Sequence, residues 1–280
     1  MAAIVTLATG ANAVKDLRFL LWSLEQVYKE DCLDIYIYTD TDTSRLIPSY
    51  KGNCFLKIAL DGYTGLNRQQ MESMKGFRFK TKWTDFMCEK ISALQWAFEE
   101  TQTDKGLWFL DADIMLFDKL PILPADTDVA LAPHYICARD EEKYGRYNGG
   151  FLWLKDPKSL SVWLEATHAS RFFEQAALEA VAAGANHLHE IPIQHNFGWW
   201  RMWQSAQNPD EMSRRFGYGR NLSGIGLTFD GKPLASVHTH WYEKKDIATY
   251  RFNEFIKARL QKIKAHKPAA DFAQYIQKYA

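Results

Sequence analysis

Two aspartates interrupt an apolar run from Leu107 to Phe117, and Asp111 and Asp113 are the residues here best suited to chemistry. An ionised carboxylate taken out of water without a partner costs several kcal/mol. On a continuous strand, side chains two apart share a face, so both would point the same way, with the small Ala112 between them. Two like charges at 4 Å repel by about 4 kcal/mol at an effective dielectric near 20. A divalent cation relieves this, and oxygen ligands suit magnesium or manganese carrying a phosphate group. A strand that ends at Asp111, with both carboxylates solvated in a turn, is the simpler alternative. Late in the chain, His238 and His240 would share one face of a strand from Leu234 to Trp241, a spacing that suits a metal as well as it suits structural histidines.

The elements that must position these groups follow from periodicity. Ile4 to Thr9 reads as a strand ending at Gly10, Leu17 to Tyr28 as a helix, and Ile35 to Tyr38 as a second strand ending at Thr39-Asp40. Strand, helix, strand opens a doubly wound α/β sheet, whose ligands bind beyond the carboxyl ends of the strands. That puts Thr6 to Gly10 and Asp40 on the ligand edge. Asp40 could hold a ribose or base edge, or simply start a turn. Met87, Ile91, Leu94 and Phe98 predict a helix over Thr84 to Glu99. Lys90 lies beside that stripe, placed for a phosphate or base carbonyl if it does not snorkel to water.

Val129 to Ala132 and Tyr147 to Leu154 read as strands. Asn148-Gly149-Gly150 at the start of the second leaves backbone that a ligand could approach. Asp156-Pro157 starts a helix, and another is expected from about Phe172 through Glu174 and Gln175. Pro192 to Trp203 is irregular and aromatic, its tryptophans serving as core or as platforms for a sugar ring. Gly217 to Gly231 reads as a mobile loop. From Lys244 on, Phe252, Phe255, Ile256, Leu260 and Ile263 make one helical face in a strongly basic segment that includes Lys264 and Lys267. Such a helix could lie on anionic lipid or cap the domain.

Composition sets wider bounds. Lysine plus arginine and aspartate plus glutamate both number 34 in 280 residues, so no global field points to nucleic acid. Cys32, Cys54, Cys88 and Cys137 form no C-x-x-C pair and read as reduced thiols. No leader and no membrane-length apolar run is read, so a cytoplasmic location is expected, with peripheral membrane contact through the last helix, and the Asn221-Leu222-Ser223 sequon carries little weight.

Taken in order, these segments resemble the glycosyltransferase family 8-like enzymes of the GT-A fold. The matching pieces are Ile-Val-Thr-Leu-Ala-Thr at the start, Ile-Tyr-Thr-Asp, Trp-Phe-Leu-Asp-Ala-Asp as a D-x-D motif, Tyr-Asn-Gly-Gly-Phe-Leu, Phe-Phe-Glu-Gln-Ala-Ala-Leu-Glu and Val-His-Thr-His-Trp. The resemblance implies a mixed, mainly parallel α/β sheet flanked by helices over residues 1–243, with 244–280 as a helical extension. It implies transfer of a sugar from a UDP- or GDP-sugar to a glycan, lipid-linked or other hydroxyl acceptor. Asp111 and Asp113 would hold manganese or magnesium on the diphosphate, with Ala112 alongside and His238 or His240 completing the ligands. Thr6, Ala8, Asp40 and Lys90 would border the nucleotide, and Asn148 and Gly149 the donor sugar. Glu174 and Gln175 would sit by the sugar or acceptor, with Glu174 as base if the reaction inverts, and with either only positioning sugars if it retains. Glu174 stands where that family has aspartate, and the family's H-x-x-G-x-x-K-P-W ending is absent. A nucleotidyltransferase and a non-catalytic sugar-binding protein are the other two readings. The first would favour a glycine-rich, basic loop after the first strand, where this chain has Thr9-Gly10-Ala11-Asn12-Ala13.

Overall fold

The computed structural model describes residues 3–29, 31–221, 224–242, 244–263 and 269–280. Leu222 and Ser223 of the sequon, Glu243 at the expected domain boundary, and Lys264 and Lys267 lie outside them.

The chain opens with β1 (Ala3–Ala8), α1 (Gly10–Tyr28), β2 (Ile35–Thr39), α2 (Thr41–Ser44) and β3 (Cys54–Ile58). It continues through α3 (Arg68–Ser73), α4 (Lys82–Thr101), β4 (Leu107–Leu110), β5 (Ile114–Leu116), β6 (Val129–Pro133), α5 (Ala138–Tyr144) and β7 (Tyr147–Leu154). Next come α6 (Lys158–Thr167), α7 (Leu178–Gly184), β8 (Leu188–Glu190), β9 (Phe197–Gly198), α8 (Trp200–Trp203) and α9 (Pro209–Arg214). The rest is β10 (Phe216–Asn221), β11 (Gly224–Phe229), β12 (Lys232–Pro233), β13 (Ser236–His238), α10 (Ile247–Lys262) and α11 (Ala269–Tyr279).

Seven strands form the main sheet in the order β3-β2-β1-β4-β7-β6-β8. Every pairing is parallel except the two made by β7, which runs against β4 and β6. The α/β class and the mixed, mainly parallel sheet are as expected. Alternation sorts the strands onto two helix layers: Val5 and Phe109 face α4 through Ile91 and Leu94, while Ile4 and Trp108 face α1 through Leu17 and Leu20. The strand order reverses between β1 and β4, so the crevice there is the natural ligand position.

The aspartate run is not one strand. β4 ends at Leu110, Asp111 N–H reaches Gly150 O (2.8 Å), and Ile114 N–H closes a turn on Asp111 O (3.1 Å). The chain then enters a second sheet, ordered β5-β13-β9. Aspartates favour such turns because their short side chains tolerate local backbone bonding. The strand therefore ends where the simpler alternative put it, yet Asp113 is only 6% exposed and far from solvated.

Four further expectations are corrected. The glycine-rich stretch is no loop: β10 and β11 pair antiparallel from Phe216↔Phe229 to Asn221↔Gly224. Its alternate glycines clear one face, since a Cβ on Gly217 or Gly219 would press on Thr228 at 3.0 or 2.8 Å. The helix expected from Phe172 starts only at Leu178, because Phe173 adopts a left-handed φ of 44° that no helix continues through. The closing strand is Ser236–His238 alone. Finally, the apolar face of α10 is not free for lipid. Phe252, Ile256, Leu260 and Ile263 are buried in a third cluster with Met115, Phe197, Phe229, Val237 and residues of α11, a helix the periodicity did not reveal. Among the described residues no helix is long and apolar enough to cross a membrane.

Candidate metal centre

The turn between β4 and β5 presents Asp111 and Asp113 at the end of the β1–β4 crevice, and β13, paired to β5 with His238 opposite Ile114, brings in the imidazole. Ligand atoms of Asp111, Asp113 and His238 lie within 4.8 Å of one another. His238 Nε2 stands 3.0 Å from Asp113 Oδ1 and 3.8 Å from Asp111 Oδ2. His240 takes the other oxygen of Asp113, with Nε2 at 3.0 Å, and turns Nδ1 toward Asp16 of α1 at 3.5 Å. Burial alone would push the Asp113 carboxyl up, but the His238 and His240 imidazoles outweigh it and hold it well below the usual carboxylate range. The Asp113 carboxylate in turn raises the His240 pKa.

Gly150 makes the space. A Cβ there would lie 2.2 Å from Asp111 Oδ2 and 2.6 Å from His238 Cε1. Two carboxylates and an imidazole converging beside such a gap are a donor set that fits a hard or borderline divalent cation. His238 belongs to that set, and His240 bridges Asp113 to Asp16.

Lys90 does not snorkel. It is buried on α4, 3.2 Å from Asp111 Oδ1, 3.3 Å from Glu174 Oε1 and 3.2 Å from Gly149 O. Burial would lower its pKa, yet the Asp111 and Glu174 carboxylates outweigh that and keep the ammonium charged. Glu174 is 1% exposed and lies behind Gly149, whose added Cβ would approach Oε1 to 3.0 Å. Its carboxylate is shut off from solvent and paired with Lys90, which speaks against the expected role as a base. Gln175 spans from Tyr144 O, to which Nε2 donates (3.1 Å), to the Gly149 N–H and Asn148 amide, both 3.4 Å from Oε1.

The nucleotide edge fares differently. Asp40 is fully buried and caps α2: Oδ1 accepts from the Asp42 and Thr43 N–H groups, and Oδ2 from the Thr9 and Thr43 hydroxyls. Its turn-starting alternative is the one realised, with no lone pair left for a ribose. Thr6 is buried with its hydroxyl unpartnered, and Ala8 and Ala112 sit in the apolar cluster under α1. Their side chains face core, not an open edge. Trp200 packs edge-on against His238 at 5.1 Å, and the half-buried Trp199 and Trp203 pack against the third cluster.

The motif reading missed Asp16, His134 and Asn196, while Gly150 belongs to the Asn148-Gly149-Gly150 strand start that the sequence did single out. Asp16 and Asn196 carried no signal, since single polar residues between apolar ones are ordinary in sequence.

No protein-family model matches the chain, and no curated protein sequence matches it. Solved structures do. The galactosyltransferase LgtC, in complex with donor and acceptor sugar analogues, superposes with a TM-score of 0.53 at 14% identity, over 92% of this chain and 96% of that one. An active-site glutamine-to-glutamate mutant of LgtC gives 0.52 at 13%, over 91% and 95%. The bifunctional glycosyltransferase WbbM gives 0.53 at 11%, over 99% of this chain and 51% of that one. Identities this low speak for architecture, and together with the strand order and the placing of the paired aspartates they make this a GT-A fold chain.

Proposed function

We propose that this protein is a metal-dependent glycosyltransferase moving a sugar from a nucleotide-diphosphate donor, UDP- or GDP-linked, to a hydroxyl of a glycan or lipid-linked acceptor. The observation that carries the reading is the convergence of Asp111, Asp113 and His238 beside Gly150, at the crevice where strand order reverses. Manganese or magnesium bound there supplies Lewis-acid stabilisation of the departing diphosphate.

The chain's own groups do the rest. Lys90 brings a fixed cation to Asp111 and the Gly149 carbonyl, beside the same leaving charge. Glu174 holds Lys90 in place rather than acting on an acceptor. Gly149 presents backbone to the donor sugar, and Gln175, tied to that backbone, orients it.

The test is incubation with Mn2+ or Mg2+, a panel of nucleotide sugars and sugar acceptors, reading free nucleoside diphosphate. Metal-dependent release with a glycosylated product supports transfer. Pyrophosphate release from nucleoside triphosphates would instead make it a nucleotidyltransferase, and metal-independent sugar binding without turnover would leave a non-catalytic lectin-like protein.

A further inference from the structure

His238 is held from behind by a chain of amides whose polarity is dictated by backbone. Gly150 N–H donates to Asn148 Oδ1 (3.0 Å), and a backbone N–H can only donate, so the oxygen of that amide must face it. The same oxygen accepts from Asn196 Nδ2 (3.1 Å), which turns Asn196 Oδ1 toward His238 Nδ1 (2.8 Å). A carbonyl oxygen can only accept, so Nδ1 of His238 carries a proton, and Nε2 is the ring atom left facing the Asp113 and Asp111 carboxylates, where a proton or a cation can sit. At the far end the polarity agrees. His134 Nδ1 donates to Gly145 O (2.9 Å), leaving its Nε2 to accept from Asn148 Nδ2 (3.3 Å). Burial lowers the His134 pKa to about 4, which keeps that ring neutral.

Asn196 is placed at some cost. It is fully buried with φ of 52°, a left-handed conformation that asparagine tolerates better than most residues. Its N–H is bound by Ser236 Oγ (2.7 Å). The buried Arg201 fixes the flanking backbone, donating to Ile193 O, His195 O, Pro133 O and His134 O at 2.6–3.1 Å with no carboxylate among these partners. Asn148, with both amide hydrogens and both lone pairs engaged, has nothing left for a donor sugar.

We propose that Asn196, oriented by Asn148, is a positioning residue that keeps a proton on His238 Nδ1, the tautomer choice that makes Nε2 the ligating atom. Asn148 is then part of this device rather than a sugar contact. The ligating half of the inference rests on the metal site proposed above, and the tautomer half does not. An outer partner of this kind typically changes metal affinity 10–100-fold.

Two measurements decide it. Long-range 15N NMR of the wild type, with the signal assigned through His238→Gln, should show Nδ1 protonated both without metal and with Mg2+ added. An unprotonated Nδ1 overturns the proposal. Calorimetric Mn2+ titration of Asn196→Gly, which keeps the left-handed backbone, should show roughly 10–100-fold weaker binding with circular dichroism unchanged. Affinity within twofold of wild type in folded Asn196→Gly overturns the positioning role. Should the wild type bind neither Mn2+ nor Mg2+, the metal reading and the ligating half fall together, while the NMR result alone decides the tautomer half.

Discussion

Asp40 and Asp113 are both buried aspartates that closely follow strands of the main sheet, yet they are neutralised in opposite ways. Asp40 spends its lone pairs on two backbone N–H groups and two threonine hydroxyls. Those partners are fixed by folding and never give way. Asp113 is met by an imidazole on each oxygen, and imidazoles can yield protons and share a carboxylate with a cation. A buried acid satisfied by backbone is finished once the chain folds. One satisfied by titratable side chains keeps a function in reserve.

The largest expected effect breaks the comparison on the Asp113 side. Asp113→Asn keeps the shape but removes the charge that a cation needs, so transfer should fall by about 10³-fold or more, a loss of about 4 kcal/mol in transition-state stabilisation. Mn2+ calorimetry on the same variant should show binding lost while the circular dichroism spectrum is retained. Unchanged metal affinity would mean that Asp113, like Asp40, is a structural acid.

Lys90 sharpens the comparison, because Asp111 is neutralised by a cation that stays charged. Removing it in Lys90→Ala leaves Glu174 buried without its partner, and unfolding free energy should drop by about 3–5 kcal/mol. Lys90→Met with Glu174→Gln removes both charges and should cost clearly less than Lys90→Ala. Chemical denaturation of the variants reads this directly. Equal losses would show that Glu174 is satisfied by something other than Lys90.

The same contrast explains what the sequence made legible. Strand and helix periodicity placed the sheet, α1, α4 and the crevice, because burial of alternate or every third-to-fourth residue is what folding selects. The D-x-D pair, His238, Lys90 and the Asn148-Gly149 strand start came together in space as the family resemblance implied, not as any local spacing required. Asp40 did not, because a strand-end aspartate looks the same whether it caps a helix or meets a ligand, and Thr9 and Thr43, its hydroxyl partners, carry no tag in sequence. The β10–β11 hairpin was hidden by glycines that usually mark loops, and here clear a strand face for Thr228. Asn196 depends on contacts 42 and 48 residues away, which no local pattern encodes.

The smallest expected effect tests the Asp40 side, through pH. Burial pushes the Asp40 carboxyl up, but the Thr43 and Thr9 hydrogen bonds outweigh it and hold it below its ordinary value. A carboxyl whose folded pKa is depressed stabilises the fold fully above its unfolded pKa, about 3.9, and loses that contribution as pH falls through the folded value. Asp40→Asn still accepts from the Asp42 and Thr43 N–H groups, so at neutral pH it should cost about 1 kcal/mol or less. Its urea midpoint, followed from pH 7 toward pH 2.5, should approach that of the wild type on the acid side, since only the wild type has a proton to gain at this position. Mn2+ affinity at neutral pH should match the wild type throughout. A gap that stays constant to the lowest pH would show that the hydroxyls bind Asp40 no better charged than neutral, and weakened Mn2+ binding would place Asp40 in the site after all.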